Sequence, residues 1–388
     1  LGIGAIIGAG LFVRTASAAT ESAGSAVTVS FIVAAVGCAF AGLCYAEFAA
    51  MIPIAGSAYT YAYTTMGEIV AWIIGWALIM EYALGAATVS IAWSEYLNNL
   101  LGGAIPYEWC HSPFEKMYQM AGDTISQLPA DLAKHAKNGI LILSESDFVK
   151  LSDSLKYSVT IHSGILNLPA LGILLLLTLL LIKGTQESAI VNGVIVFIKM
   201  AIVLVFITIG WKFINPANHT PYMIQQGEYG HDGFFDWGMA GILRGASIVF
   251  FAFIGFDAVS TAAQEAKNPK RDMPVGILGS LAVCTILYVL FSHVLTGVAH
   301  WSEFKTAGKE ASVSYAISKY MTGYDWLATS VTVAILAGFS SVILVMLMGQ
   351  SRVFFSMSKD GLLPKVFSDL HPKFSTPYKS NMILFLFV

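Results

Sequence analysis

Runs of twenty or more residues with at most one charge recur along this chain, and they restrict its folds more than any other feature. Residues 275–299 hold no Asp, Glu, Lys or Arg, and residues 326–357 hold only Arg352. A span of the bilayer needs about 20 mainly apolar residues. In hydrocarbon every backbone N–H and C=O must be satisfied internally, so the spanning elements are helices or closed barrels. The runs here are continuous rather than alternating, which selects helices. Charged residues make up 12% of the chain, half of the roughly 25% usual for soluble domains, so an all-α membrane protein is expected.

Candidate spans are 1–18, 26–52, 69–98, 163–183, 189–212, 238–264, 275–299, 326–357 and 381–388. Leu1 and Val388 both fall inside apolar stretches, so a half-helix is expected before the first and at least one helix after the last. Polar connectors such as Lys183-Gly184-Thr185 and Asn268-Pro269-Lys270-Arg271 separate the spans. Lysine and arginine in short loops mark the cytoplasmic side. By that count the connectors after the fourth, sixth and eighth spans face inward. The organisation is three-part: helices in 1–101, a polar insertion over 102–162 expected outside, and further helices in 163–388. The insertion mixes Pro106, Pro113 and Pro129 with amphipathic patches such as Leu128–Ala136, and is expected to form a small helical cap. A second outer loop, around Trp301–Tyr324, would hold a short helix over Ala311–Tyr320.

Two segments interrupt the spans. Ile6-Ile7-Gly8-Ala9-Gly10 opens the first half of the chain, and Phe251-Ala252-Phe253-Ile254-Gly255-Phe256-Asp257 opens the second. Irregular backbone at membrane depth survives only where protein or a water-filled cavity satisfies it, and paired breaks point to a binding site near the bilayer midplane. Gly4 to Gly8 also fits a small-residue packing face. If Gly8, Ala9 and Gly10 unwind, their amides and the following half-helix N-terminus suit an anion. Carbonyls freed before Gly255 suit an ammonium. Donors on one break and acceptors on the other match a zwitterion, an α-amino acid.

Lys199 lies near the centre of its span, roughly 15 Å from either end at 1.5 Å per residue, too deep to reach water. An intramembrane lysine marks a functional site by default. It fits either a coupling element that stands in for a sodium ion and titrates, or a structural cation held by break carbonyls. Glu81, mid-span, either faces the cavity or pairs with a neighbouring helix. Asp257 either caps its half-helix or titrates. Glu47 and Glu95 sit nearer span ends, and Arg244 suits snorkelling or a gate ion pair. Asn218-His219-Thr220 is an acceptor pattern for N-glycosylation.

Four cysteines, three of them in apolar segments, imply no disulfide framework. The eight histidines are scattered without metal spacing, and no phosphate-cradling loop occurs. No enzyme activity, cofactor, metal, ATP or nucleic acid is expected; the net charge is only −3.

Longer motifs carry a resemblance. Gly2 to Phe12, Tyr45-Ala46-Glu47 with Pro53 to Tyr59, Phe250 to Ser260, Glu265 to Ile277, and Gln350 to Pro364 occur in order. They resemble the amino acid–polyamine–organocation superfamily, in particular its cationic amino acid transporter branch and bacterial relatives. The resemblance covers nearly everything except 102–162. It implies the leucine-transporter fold, with two inverted five-helix repeats and helices one and six broken. It implies that the substrate carboxylate meets amides around Gly8, Ala9 and Gly10. The ammonium would meet carbonyls around Ile6, Phe251, Ala252 and Ile254, with Phe251 closing over the substrate. Lys199 matches the lysine that occupies the sodium position in proton-coupled members. Ala9 stands where many relatives carry Ser or Thr, so a hydroxyl contact to the carboxylate is absent.

The expected function is amino acid/proton symport by alternating access in a plasma membrane, a bacterial inner membrane by the resemblance. An exchanger and a non-transporting amino acid sensor are the alternatives. Cationic substrates are favoured, with Glu81 or Asp257 attracting a basic side chain, and neutral ones such as alanine are also admissible.

Overall fold

The computed structural model describes residues 1–8, 10–121, 140–143, 148–149, 151, 153–156, 158–225, 227, 236–304 and 312–388. Ala9 and the Leu128–Ala136 patch lie outside them. The chain divides into two compact units, Leu1–Tyr96 with Ile173–Val388, and Leu97–Gly172.

The larger unit is helical. α1 (Gly2–Ile6) stops at Ile7, whose backbone is extended. A π-helical turn over Gly10–Arg14 and α2 (Thr15–Ala18) resume the helix. A second π-turn ends at Gly24, where φ of +57° separates this run from α3 (Val27–Met51). Then come α4 (Ala58–Met66) and α5 (Glu68–Leu100). Among the described residues six helical runs are long and apolar enough to cross a bilayer: Gly10–Met51, Glu68–Leu100, Ser188–Phe213, Gly238–Gln264, Pro269–Val298 and Asp325–Lys359. The first is 42 residues long, about 63 Å if straight and twice the hydrocarbon thickness. The turn at Gly24 therefore divides it in two. This is a multi-pass integral membrane protein.

The smaller unit departs from the expected helical cap. β1 (Lys116–Ala121), β2 (Ile140–Leu143) and β3 (Val159–Ser163) form an antiparallel sheet in the order β2-β1-β3. The four-residue α6 (Asp153–Lys156) adjoins it. Tyr118, Met120, Leu141, Leu143 and Leu151 form its core, with Tyr118 stacked on Phe148 at 4.4 Å. The reason is local: Met117 to Met120 alternates across the sheet, and its inward residues find partners on β2. Because β3 takes residues to Ser163, the next helix, α7, runs Leu168–Lys183 rather than from 163.

α8 (Thr185–Gly210) carries Lys199. α9 (Gly238–Phe250) passes into a short 3-10 turn at Phe251–Phe253. Gly255 then takes φ of +106°, and the chain continues as a 3-10 run over Asp257–Glu265. α10 (Pro269–Val298), α11 (Ser312–Tyr320), α12 (Asp325–Lys359) and α13 (Tyr378–Phe387) complete the chain. α11 begins at Ser312; Ala311 is outside the described residues. α12 is the most enclosed span, with 78% of its apolar window buried, so it forms the centre against which the broken segments pack.

Candidate functional site

Both expected breaks are present, and they touch. A β-carbon on Gly10 would collide with the backbone and side chain of Ala252. One on Gly255 would lie 2.8 Å from the side chain of Ala5. The later end of the first break thus meets the earlier end of the second, and the reverse holds at the other contact. The two segments cross antiparallel. Glycine is required at both contacts because nothing larger permits that approach, and at Gly255 also because of its positive φ.

The break in α1 is held open by a specific exchange of partners. In a continuing helix the Gly4 carbonyl would accept from the Gly8 amide and the Ile7 carbonyl from the Leu11 amide. Instead Lys199 Nζ donates to Gly4 O at 2.8 Å and to Ile7 O at 2.7 Å. Its third donor reaches Ser341 Oγ at 2.8 Å, and that hydroxyl donates to Gly4 O at 2.6 Å. Leu11 N turns back to Gly8 O. Among the described residues the Gly8 amide has no acceptor. Lys199 is fully buried, and its ammonium has acceptors for all three donors.

The two breaks each supply an acceptor. Ile6 O and Ala252 O converge on one hydroxyl, Tyr288 Oη, which lies 2.7 Å from the first and 2.9 Å from the second. Tyr288 is fully buried on α10. Nothing in the sequence singled it out, nor Ser341; Tyr288 lies 282 residues from Ile6, and Ser341 lies 337 from Gly4.

Beside the crossing lies a cavity of about 140 Å³. Ile6, Gly8, Gly10, Phe251 and Ile254 line it from the breaks, and Val342 and Met346 from α12. From α5 come Glu81, Gly85 and Thr88, which share one helix face at intervals of four and three. Glu81 thus faces the cavity, the first of its two expected arrangements. Ala252 does not line the cavity, and Lys199 lies behind the α1 break. Phe251 carries the guanidinium of Arg14 over its ring at 5.2 Å, a cation–π contact that the sequence reading missed.

Asp257 does not line this cavity. It is buried, and its Oδ2 accepts from Tyr82 Oη at 2.6 Å. Its backbone carbonyl accepts from Ser260 Oγ at 2.6 Å, and Ser57 Oγ lies 2.8 Å from the same hydroxyl. The 3-10 run eclipses residues three apart, which aligns Asp257 with Ser260 and turns its carboxylate to α5. Arg244 pairs with Asp236 at 2.6 Å. The Asn218 amide donates to Gly297 O at 2.8 Å, so the nitrogen of that glycosylation pattern is engaged within the fold. Among the described residues no group of three metal-ligating side chains occurs.

The amino acid permease family model matches residues 1–388. The chain belongs to that family. The permease is 41% identical to the branched-chain amino acid permease BcaP of Bacillus subtilis over 97% of this chain and 69% of that protein. It is 38% identical to the methylthioribose transporter of the same organism, over 99% of this chain and 70% of the relative. Cationic amino acid transporter 4, vacuolar, of Arabidopsis thaliana is 31% identical over 99% of the permease and 55% of its own length. The superfamily inferred from the motifs is therefore upheld. Relatives of comparable identity carry different substrate names, so overall similarity to the permease does not select among them.

Proposed function

We propose that this permease is a proton-coupled amino acid symporter of the plasma membrane, working by alternating access with two inverted repeats around the crossed breaks. The observation that carries the reading is the Lys199 ammonium at Gly4 O, Ile7 O and Ser341 Oγ. A cation in that place stabilises the open α1 break, and its loss of a proton weakens the grip. The antiparallel crossing of the breaks supports an inverted arrangement of the two halves.

The substrate zwitterion sits at the crossing. Its carboxylate takes the amides of Gly8 and Gly10, and Ala9 is assigned there by resemblance alone. Its ammonium takes the carbonyls of Ile6 and Ala252, with Phe251 and Ile254 alongside. The side chain points to α5, where Glu81 favours a basic group. Two relatives' names, for branched-chain and cationic amino acids, support an amino acid substrate, beside one named for methylthioribose.

The test is uptake of labelled amino acids into proteoliposomes by the full-length protein, with and without an imposed pH gradient, against a competition panel of all amino acids. Gradient-driven accumulation that Lys199→Ala abolishes is the expected result. Counterflow indifferent to the gradient would make the protein an exchanger, and binding without flux would make it a sensor.

A further inference from the structure

A lysine enclosed on all sides can exchange its proton with water only along a route of further polar groups. We propose that Asn192 is the positioning residue for that exchange, holding the water that connects Lys199 to the Gly184 end of α8. The inference rests on the coupling role given to Lys199 above.

Asn192 precedes Lys199 by seven residues on α8, about 10.5 Å along the axis and on the same face. Seven further residues lead to Thr185, where the helix begins after Gly184. It therefore stands midway between the ammonium and the helix end beside Lys183. Asn192 is 1% exposed, and its Oδ1 has no hydrogen-bond partner among the described residues. Its carboxamide lies flat against Gly4, where a β-carbon would come within 2.7 Å of both Nδ2 and Oδ1. Gly4 is the residue whose carbonyl Lys199 grips. The unused acceptor thus adjoins the peptide that carries the cation.

Three other buried hydroxyls on the elements around Lys199 are occupied. Ser280, against Gly2, donates to Ile277 O. Ser188 returns to Gly184 O, and Ser341 is committed to Gly4 O. A buried amide oxygen without a partner destabilises the fold, and leucine would have nearly the same shape without that cost. The amide is explained if it serves a second state of the carrier, in which water enters between α1 and α8.

In that state the proton leaves Nζ for the oxygen of a water whose own hydrogen is accepted by Asn192 Oδ1. The N–H electron pair stays on nitrogen, leaving a neutral amine, and the excess proton passes to the aqueous boundary. The amide itself carries no charge at any stage. Among the described residues the titratable group facing the ammonium is Cys284 from α10. From α12 the side chain it bonds is the uncharged Ser341.

The experiment compares full-length wild type, Asn192→Leu and Asn192→Ser in proteoliposomes by gradient-driven uptake, counterflow at equal pH, and thermal unfolding. Asn192→Leu is expected to lower gradient-driven uptake about tenfold or more, with counterflow near wild type and thermal stability equal or higher. Asn192→Ser, which restores an acceptor, recovers part of the loss. Should the leucine variant fail to fold, Asn192→Ala removes the amide without adding bulk and carries the same expectations. Gradient-driven uptake at the wild-type level, or a parallel loss of counterflow, overturns the inference. A wild-type carrier indifferent to the gradient instead removes the symport reading and this inference with it.

Discussion

Tyr288 has one proton for two carbonyls, Ile6 O and Ala252 O, so at any moment one of them has spare acceptor capacity. The hydroxyl sets the spacing of the acceptor pair without consuming it. Tyr288→Phe is expected to weaken amino acid binding by about 5–30-fold, equivalent to 1–2 kcal/mol, as read by equilibrium binding on purified protein. Lys199→Met leaves two buried carbonyls without their charged donor, at about 1.5–3 kcal/mol for each bond lost. A clear fall in thermal unfolding midpoint should accompany the loss of gradient-driven uptake. Lys199 was legible in the sequence because a charge at the centre of an apolar run contradicts its surroundings. Tyr288 and Ser341 were not, since tyrosine and serine are unexceptional in a span and their partners lie far away in the chain. Asp257 was ambiguous for a different reason: its orientation depends on the 3-10 pitch, which the residues around it do not announce.

At the scale of elements, the second break depends on Gly255. Gly255→Ala meets both a φ of +106° and the side chain of Ala5 at 2.8 Å. The expected cost is on the order of 1–3 kcal/mol, with substrate binding lost before the protein unfolds. α11 is fastened differently. Glu303 accepts from Lys319 Nζ at 2.7 Å, Tyr315 Oη at 2.9 Å and Tyr320 Oη at 2.6 Å. Burial pushes the Glu303 carboxyl up, but the bonds from Lys319, Tyr320 and Tyr315 outweigh it and hold it below the ordinary 4.5. A depressed carboxyl contributes docking that is complete above that ordinary value and is lost as pH falls through the lowered one. Hydrogen-exchange protection of α11, corrected for intrinsic rates, should therefore drop only in acid. Glu303→Gln should remove that dependence. The spans were legible from length and charge, and the breaks from glycine. The sheet of the insertion was not: Ile140–Leu143 is a continuous apolar run, whose period alone does not separate a strand from a short helix.

For the whole molecule, the start of α4 and the connector before it are clamped to the end of α12. Tyr59 Oη donates to Asp360 Oδ2 at 2.7 Å, and Ser356 Oγ to Ala55 O at 2.6 Å. The two partners of each bond are about three hundred residues apart, so the clamp ties the first half of the chain to the second at one end of the helical unit. Tyr59→Phe removes one such bond, worth about 1 kcal/mol. It should shift the carrier about fivefold towards the state open at that end, seen as faster labelling of a cysteine placed at Ala55.

The antiparallel crossing of the breaks has a stereochemical consequence. In the proposed pose the amides of Gly8 and Gly10, the carbonyls of Ile6 and Ala252, and the α5 wall of Glu81, Gly85 and Thr88 define three different directions around a single tetrahedral carbon. Such a site has a hand. A mirror-image amino acid that keeps its two charged groups in place must turn its side chain away from α5 and its hydrogen towards it. The carrier should therefore discriminate between enantiomers for every substrate larger than glycine, and glycine itself should be the weakest ligand of the series.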